Sequence, residues 1–155
     1  MKLFERNVEK TCQAKLDQYA KNCSGFVGAV ATDLLVLVPG MSSLADDQVF
    51  FMRAIATPLF RQLGSGRTGE LRAVASAAEG NFVICGITST ELQKSRSKPV
   101  SHGHVAVVAN GWATSGWPLG YWGSLGGMPG RRESLGKSFR ESDRPIISYF
   151  SYLIT

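Results

Sequence analysis

The chain has 155 residues, 44% of them hydrophobic and 19% charged, with a formal net charge of +5 and a pI near 9.3. That length and balance suit one domain with its own core and exclude a disordered chain. The basic excess fits an anionic partner, but the longest cluster, Lys94 to Lys98, holds no aromatic side chain to stack on a base, so nucleic acid is not expected.

The three cysteines, Cys12, Cys23 and Cys85, cannot all pair, and their spacing is not that of a zinc site, so neither a disulfide framework nor a metal centre is expected. The segment Met1 to Lys10 is polar where a secretory signal would be apolar. The longest apolar run, Gly25 to Val38, is broken by Asp33 and falls short of the roughly 20 residues of a membrane span. Membrane insertion is not expected, and synthesis in the cytoplasm is.

In chain order, Phe4, Val8, Cys12, Leu16 and Tyr19 recur at helical steps and predict an amphipathic first helix. After Ala20-Lys21 a second helix starts at Cys23 and is expected to end at Pro39-Gly40. A third is predicted over Leu44 to Ile55, continuing with a kink past Pro58 to Leu63. Gly64, Gly66 and Gly69 read as a loop, and Glu70 to Ala78 as a short helix ended by Gly80. Phe82 to Ile87 and Val105 to Ala109 are near-continuous apolar runs and predict buried strands, joined by the polar stretch Thr88 to Gly103. Leu119 to Ser124 and Ile146 to Ile154 have strand composition, and Gly111 to Gly136 is rich in glycine. Helices first and strands second predict an α+β fold, with N-terminal helices packed on an antiparallel sheet.

The stretch that carries chemistry is Asn22-Cys23-Ser24-Gly25-Phe26-Val27. Asn is a strong N-cap, and Phe26, Val27, Val30 and Leu34 follow at helical spacing, so Cys23 is placed at the first position of a buried helix. Free N–H groups and the positive helix end favour an anion there, which can lower a thiol pKa from about 8.5 toward neutrality or below. His104, in Gly103-His104-Val105-Ala106-Val107-Val108, opens the second apolar strand and is the candidate general base. His102 lies in the polar stretch before it and is less suited to being held in one orientation.

These two motifs resemble those of the papain-like, NlpC-type cysteine peptidases that cut peptidoglycan stem peptides. Within that superfamily the chain most resembles the type VI secretion amidase effectors, the Tae families. The likeness also takes in Phe82 to Ile87, the segment Tyr121-Trp122-Gly123-Ser124, and Asp143-Arg144 ahead of a tyrosine-rich last strand ending at Tyr152. It implies a single papain-like amidase domain over residues 1–155, with Cys23 as nucleophile, His104 as base, Asn22 as the cap beside the nucleophile, and no cofactor.

NlpC-type enzymes commonly have Asp where this chain has Asn22, and they use a polar residue on the next strand to orient the His. Here that position falls at or near Trp122, whose indole can only donate. The orienting acceptor is therefore expected to be a backbone carbonyl near Trp122 or the Ser124 hydroxyl. The loops Thr88 to Gly103 and Gly111 to Pro118 are expected to wall the cleft. The resemblance further implies secretion without a signal peptide through the type VI apparatus, action in the recipient's periplasm, and a cognate periplasmic immunity protein contacting the loops from Gly111 to Gly136. It implies that the bond cut is either D-glutamate to diaminopimelate or the diaminopimelate to D-alanine cross-link. The alternative is a non-catalytic basic wall- or partner-binding domain with an inert Cys23.

Overall fold

The structure is a computed structural model and describes residues 6–36, 40, 43–55 and 57–154. The elements are α1 (Val8–Lys15), α2 (Cys23–Asp33), α3 (Ala45–Ala54), β1 (Phe60–Ser65), α4 (Gly66–Ala78), β2 (Phe82–Ile87), α5 (Ser89–Arg96), β3 (His104–Trp112), β4 (Pro118–Trp122), β5 (Gly130–Ser134), two 3₁₀ turns (Leu135–Lys137 and Glu141–Ile146) and β6 (Ser148–Tyr152). The strands form one six-stranded sheet in the order β1-β6-β2-β3-β4-β5. Every neighbouring pair is antiparallel. The fold is α+β, as the order of elements in the sequence indicates.

The two continuous apolar runs have a direct cause: the central strands are covered on both faces. Phe82 and Ile84 of β2 and Val105, Val107 and Ala109 of β3 pack with Cys12 of α1, Phe26 and Val30 of α2, and Val49 of α3. The alternate residues Val83, Cys85 and Ile87 with Ala106 and Val108 pack with Ala73 and Val74 of α4, Leu92 of α5, and Leu135 and Phe139. Side chains alternate along a strand, so burial on both faces demands apolar residues at every position. The second layer is additional to the early helices expected from the sequence.

Three expectations are corrected. The third helix stops at Ala54, and Phe60 to Ser65 is a strand, not a kinked helical continuation. Ile55 is already extended (φ −78°, ψ 127°), and Pro58, with no N–H to give, stands in the turn before β1. Gly64, Gly66 and Gly69 mark a tight strand-to-helix junction, not a loop. Gly64 (φ +93°) and Gly66 (φ +61°) take left-handed backbone, and a Cβ on Gly69 would press on Tyr149 and on the Gly64 carbonyl. The second helix ends at Asp33, before Pro39-Gly40, where Leu35 turns left-handed at φ 58° and Val36 N–H closes on the Ala31 carbonyl. Phe4 and Pro39 lie outside the described residues.

The polar stretch after β2 contains α5, closed by a capping box between Thr88 and Glu91. The glycine-rich stretch contains β5 at the sheet edge, where Arg131, Arg132 and Glu133 supply charge along an open strand. Beyond the far end of β3, Glu70 is fully buried and accepts Arg144 through both carboxylate oxygens at 2.8 Å. Arg144 and Arg67 lie over the rings of Trp117 and Trp112 and both donate to the Gly116 carbonyl, binding α4 to the β3–β4 hairpin.

Candidate active site

Asn22 caps α2 as its residue type dictates: its side-chain oxygen accepts the Gly25 N–H at 2.8 Å and the Ser24 hydroxyl at 3.2 Å. A Cβ at Gly25 would collide with that same Asn22 side chain, so the small residue after Ser24 is part of the cap. The Asn22 carbonyl takes the Phe26 N–H at 2.9 Å, which starts the helix. Cys23 is thereby its first residue.

The sheet opens to receive it. Pairing between β3 and β4 runs from Trp112–Pro118 to Val107–Tyr121 and stops there. Beyond Tyr121 the chain turns to the connection ahead of α2: Ser124 N–H donates to the Ala20 carbonyl at 2.9 Å. Gly123 lies so close to the Tyr19 and Asn22 carbonyls that no Cβ fits. The Val105 N–H, left without a partner on β4, faces the Cys23 sulfur together with the N–H groups of Ser24 and Cys23. The thiol therefore sits in the gap between two central strands, against the residue that follows His104.

Burial raises the Cys23 thiol above its ordinary value, and the three N–H groups only partly offset this. The low thiol pKa expected from the helix start is not realised in the resting protein, because loss of water from a half-buried sulfur outweighs the helix end. Burial, helped by the Arg96 guanidinium, pushes the His104 imidazole down to about 4. Arg96 is itself held by Asp143 at 2.8 Å, and Ser95 donates to the same carboxylate at 2.7 Å. At neutral pH the site holds a neutral thiol near a neutral imidazole. That is an arrangement for general-base attack rather than a preformed ion pair.

His102 is exposed and Cys85 is fully buried within β2. Among the described residues no group of three or more His, Cys, Asp or Glu side chains could hold a metal ion. Trp122 donates its indole N–H to the Met128 carbonyl at 3.0 Å, and the Ser124 hydroxyl accepts the Gly127 N–H at 3.1 Å. The imidazole's hydrogen bond lies elsewhere, between Nε2 and the hydroxyl of Ser138, with the Phe139 ring 4.8 Å from the imidazole centre. Nothing in the motif around His104 points to Ser138, which only the fold brings there.

One of the two expected walls lies elsewhere. The turn of residues 113–117 closes the hairpin at the opposite end of the nine-residue β3, roughly 26 Å along the strand from His104. A cavity of about 560 Å³ lined by Arg67, Glu70 and Arg144 belongs to that end. The segment next to the thiol is instead the β4–β5 connection, where Leu125 and Met128 are exposed. Trp117, in the far turn, is buried.

His104 gives the site a pH signature. In the unfolded chain its imidazole takes a proton near 6.5, in the folded chain only near 4. Between those values the unfolded state holds more protons, so stability falls as pH drops through that window. His104→Gln is expected to flatten this decline by up to about 3 kcal/mol, measured by urea midpoints from pH 7 to 4. Parallel curves for the two proteins would show that His104 is not held neutral.

No family model matches the chain. The chain is similar to the peptidoglycan amidase Tse1 of Pseudomonas aeruginosa, with 31% identity over 136 residues that cover 84% of this chain and 75% of that protein. With that identity over that share of both proteins, the chain belongs to the Tae-type family of type VI secretion peptidoglycan amidase effectors.

Proposed function

We propose that the chain is an antibacterial peptidoglycan amidase, a single papain-like domain of the NlpC type over residues 1–155, in which Cys23 is the nucleophile and His104 its base. The observation that carries this reading is the Cys23 thiol in the gap between β3 and β4, faced by three backbone N–H groups and adjoining a neutral imidazole's strand. The relative's own name, a peptidoglycan amidase, supports the substrate class. An inert cysteine in a binding domain has no need of such surroundings.

In the proposed reaction His104 takes the Cys23 proton as the sulfur attacks an amide carbonyl of a wall peptide. The N–H groups of Cys23, Ser24 and Val105 are positioned to stabilise negative charge, first on sulfur and then on the carbonyl oxygen. The imidazolium returns its proton to the leaving amine, and water, deprotonated by the same imidazole, releases the acyl group from sulfur. Asn22 holds the start of the helix. Trp122 and Ser124, placed by the sequence as orienting groups, flank the gap from β4 and the turn after it. The net charge of +5 suits an anionic wall polymer.

Purified peptidoglycan is the direct substrate for the test. Cys23→Ala and His104→Ala should each lower fragment release by at least about a thousandfold, with unchanged circular dichroism, while His102→Ala stays near wild type. Mass analysis of the fragments also names the bond, D-glutamate to diaminopimelate or the cross-link to D-alanine. Release by Cys23→Ala at the wild-type rate would end the proposal.

Delivery by the type VI apparatus and action in the recipient's periplasm complete the reading. Among the described residues no helix is long and apolar enough to cross a membrane. Expression with an added export signal should lyse a Gram-negative host, and cytoplasmic expression should be tolerated. Equal toxicity in both compartments would point to another target. A producer exposed to its own toxin needs a periplasmic immunity protein, and we place its contact on the loop with Leu125 and Met128 rather than on the buried Trp117. Protection of Cys23 from alkylation in that complex is the matching observation, and a fully reactive Cys23 would refute the placement.

A further inference from the structure

The turn after β5 reaches back over β4 to the start of β3, and its fixings are unusually firm for a loop. Leu135 is fully buried and fills the space over Gly120, where a Cβ would strike it. Gly136 leaves no room for a Cβ against the Trp117 ring. The Leu135 carbonyl accepts the N–H groups of both Ser138 and Phe139 at 2.9 Å, which closes the turn. Phe139 is buried with its ring tilted 59° to the imidazole of His104. Between these two anchors, Ser138 meets His104 Nε2 through its hydroxyl. Among the described residues Nδ1 carries no hydrogen bond.

We propose that Ser138 is the positioning residue of the reaction: its hydroxyl accepts the Nε2–H of His104, fixes the tautomer, and leaves Nδ1 bare to take the Cys23 proton. This rests on the Cys23–His104 reading above. A hydroxyl can either donate or accept, and only acceptance serves the base. If Ser138 donated to Nε2, the ring proton would sit on Nδ1, and Nδ1 could not receive one from sulfur. When the thiol proton moves to Nδ1, the imidazolium still donates from Nε2 to Ser138, so the same bond holds the ring in both protonation states. No atom of Ser138 is consumed, and its own proton stays on oxygen.

The parity of β3 shows why the orienting group comes from this turn. His104 shares a face with Ala106 and Val108, the face covered by Leu135 and Phe139. The thiol's helix lies on the opposite face. A ring on one face of the strand that is to serve a thiol whose helix lies on the other needs support from its own side. Ser138 and Phe139 supply it, one through a polar contact and one through an apolar contact.

The test has two parts. In the wild-type protein with ¹⁵N-labelled histidine, nuclear magnetic resonance at pH 7 should show His104 with its proton on Nε2 and Nδ1 bare. A proton on Nδ1 would overturn the proposal without any variant being made. In peptidoglycan digestion, Ser138→Ala should lower kcat by roughly ten- to a hundredfold with KM near wild type, while Ser138→Thr, which keeps the hydroxyl, should retain most of the rate. A Ser138→Ala enzyme with wild-type kcat would overturn the proposal while leaving the dyad standing, provided Cys23→Ala is inactive in the same assay. If Cys23→Ala is active, the dyad itself fails.

Discussion

The close approach of Gly123 to the Tyr19 and Asn22 carbonyls is the constraint on which the site depends. It draws the end of β4 away from β3 and onto the connection before α2, where the Ser124–Ala20 hydrogen bond secures it. That departure leaves Val105 without a partner on β4, and its N–H faces the Cys23 sulfur. A buried backbone donor without a partner is unfavourable by roughly 1–3 kcal/mol. Here the Cys23 sulfur is placed to relieve it. The glycine in Tyr121-Trp122-Gly123-Ser124 is thus as much a part of the site as the cysteine.

The electrostatics follow from the same geometry. A thiol and an imidazole held away from bulk water both favour their neutral forms, so burial raises one and lowers the other. Arg96 adds to the effect on His104, and Asp143 tethers Arg96 at a fixed place between α5 and the second 3₁₀ turn. Both shifts favour the uncharged forms. In the proposed reaction charge is created as the sulfur attacks, at a point where three N–H groups already face it, and preorganised donors are most effective where charge develops.

Much of this was legible in the residues. Asn22 ahead of an apolar helical run locates the helix start, and the unbroken apolar runs of β2 and β3 read as buried strands because they are covered on both faces. Helix α5 was missed although Thr88 and Glu91 form a capping box, because its residues carry no apolar stripe and the segment reads as polar loop. Strand β5 was missed because an edge strand guarded by charges lacks the apolar pattern of a strand. Pro58 suggested a kinked helix where the chain in fact changes to a strand at Phe60. Ser138 could not be found from the sequence: its partner lies on β3, far from it along the chain, and its place in the turn after β5 is set by Leu135 and Phe139 in the core. What single residues do at helix starts is local and readable, whereas what closes over them depends on long-range packing.

In the proposed reaction Cys23, in its gap between β3 and β4, breaks the wall amide bond by taking the acyl group onto sulfur. The other two thiols, Cys12 and Cys85, are fully buried, and burial raises their pKa far above the ordinary thiol range. Iodoacetamide on the folded protein should therefore modify Cys23 alone, which peptide mass analysis can verify. The singly modified protein, incubated with peptidoglycan, is predicted to release no stem-peptide fragments while keeping its fold. Fragment release at the unmodified rate from protein fully alkylated at Cys23 would contradict the account.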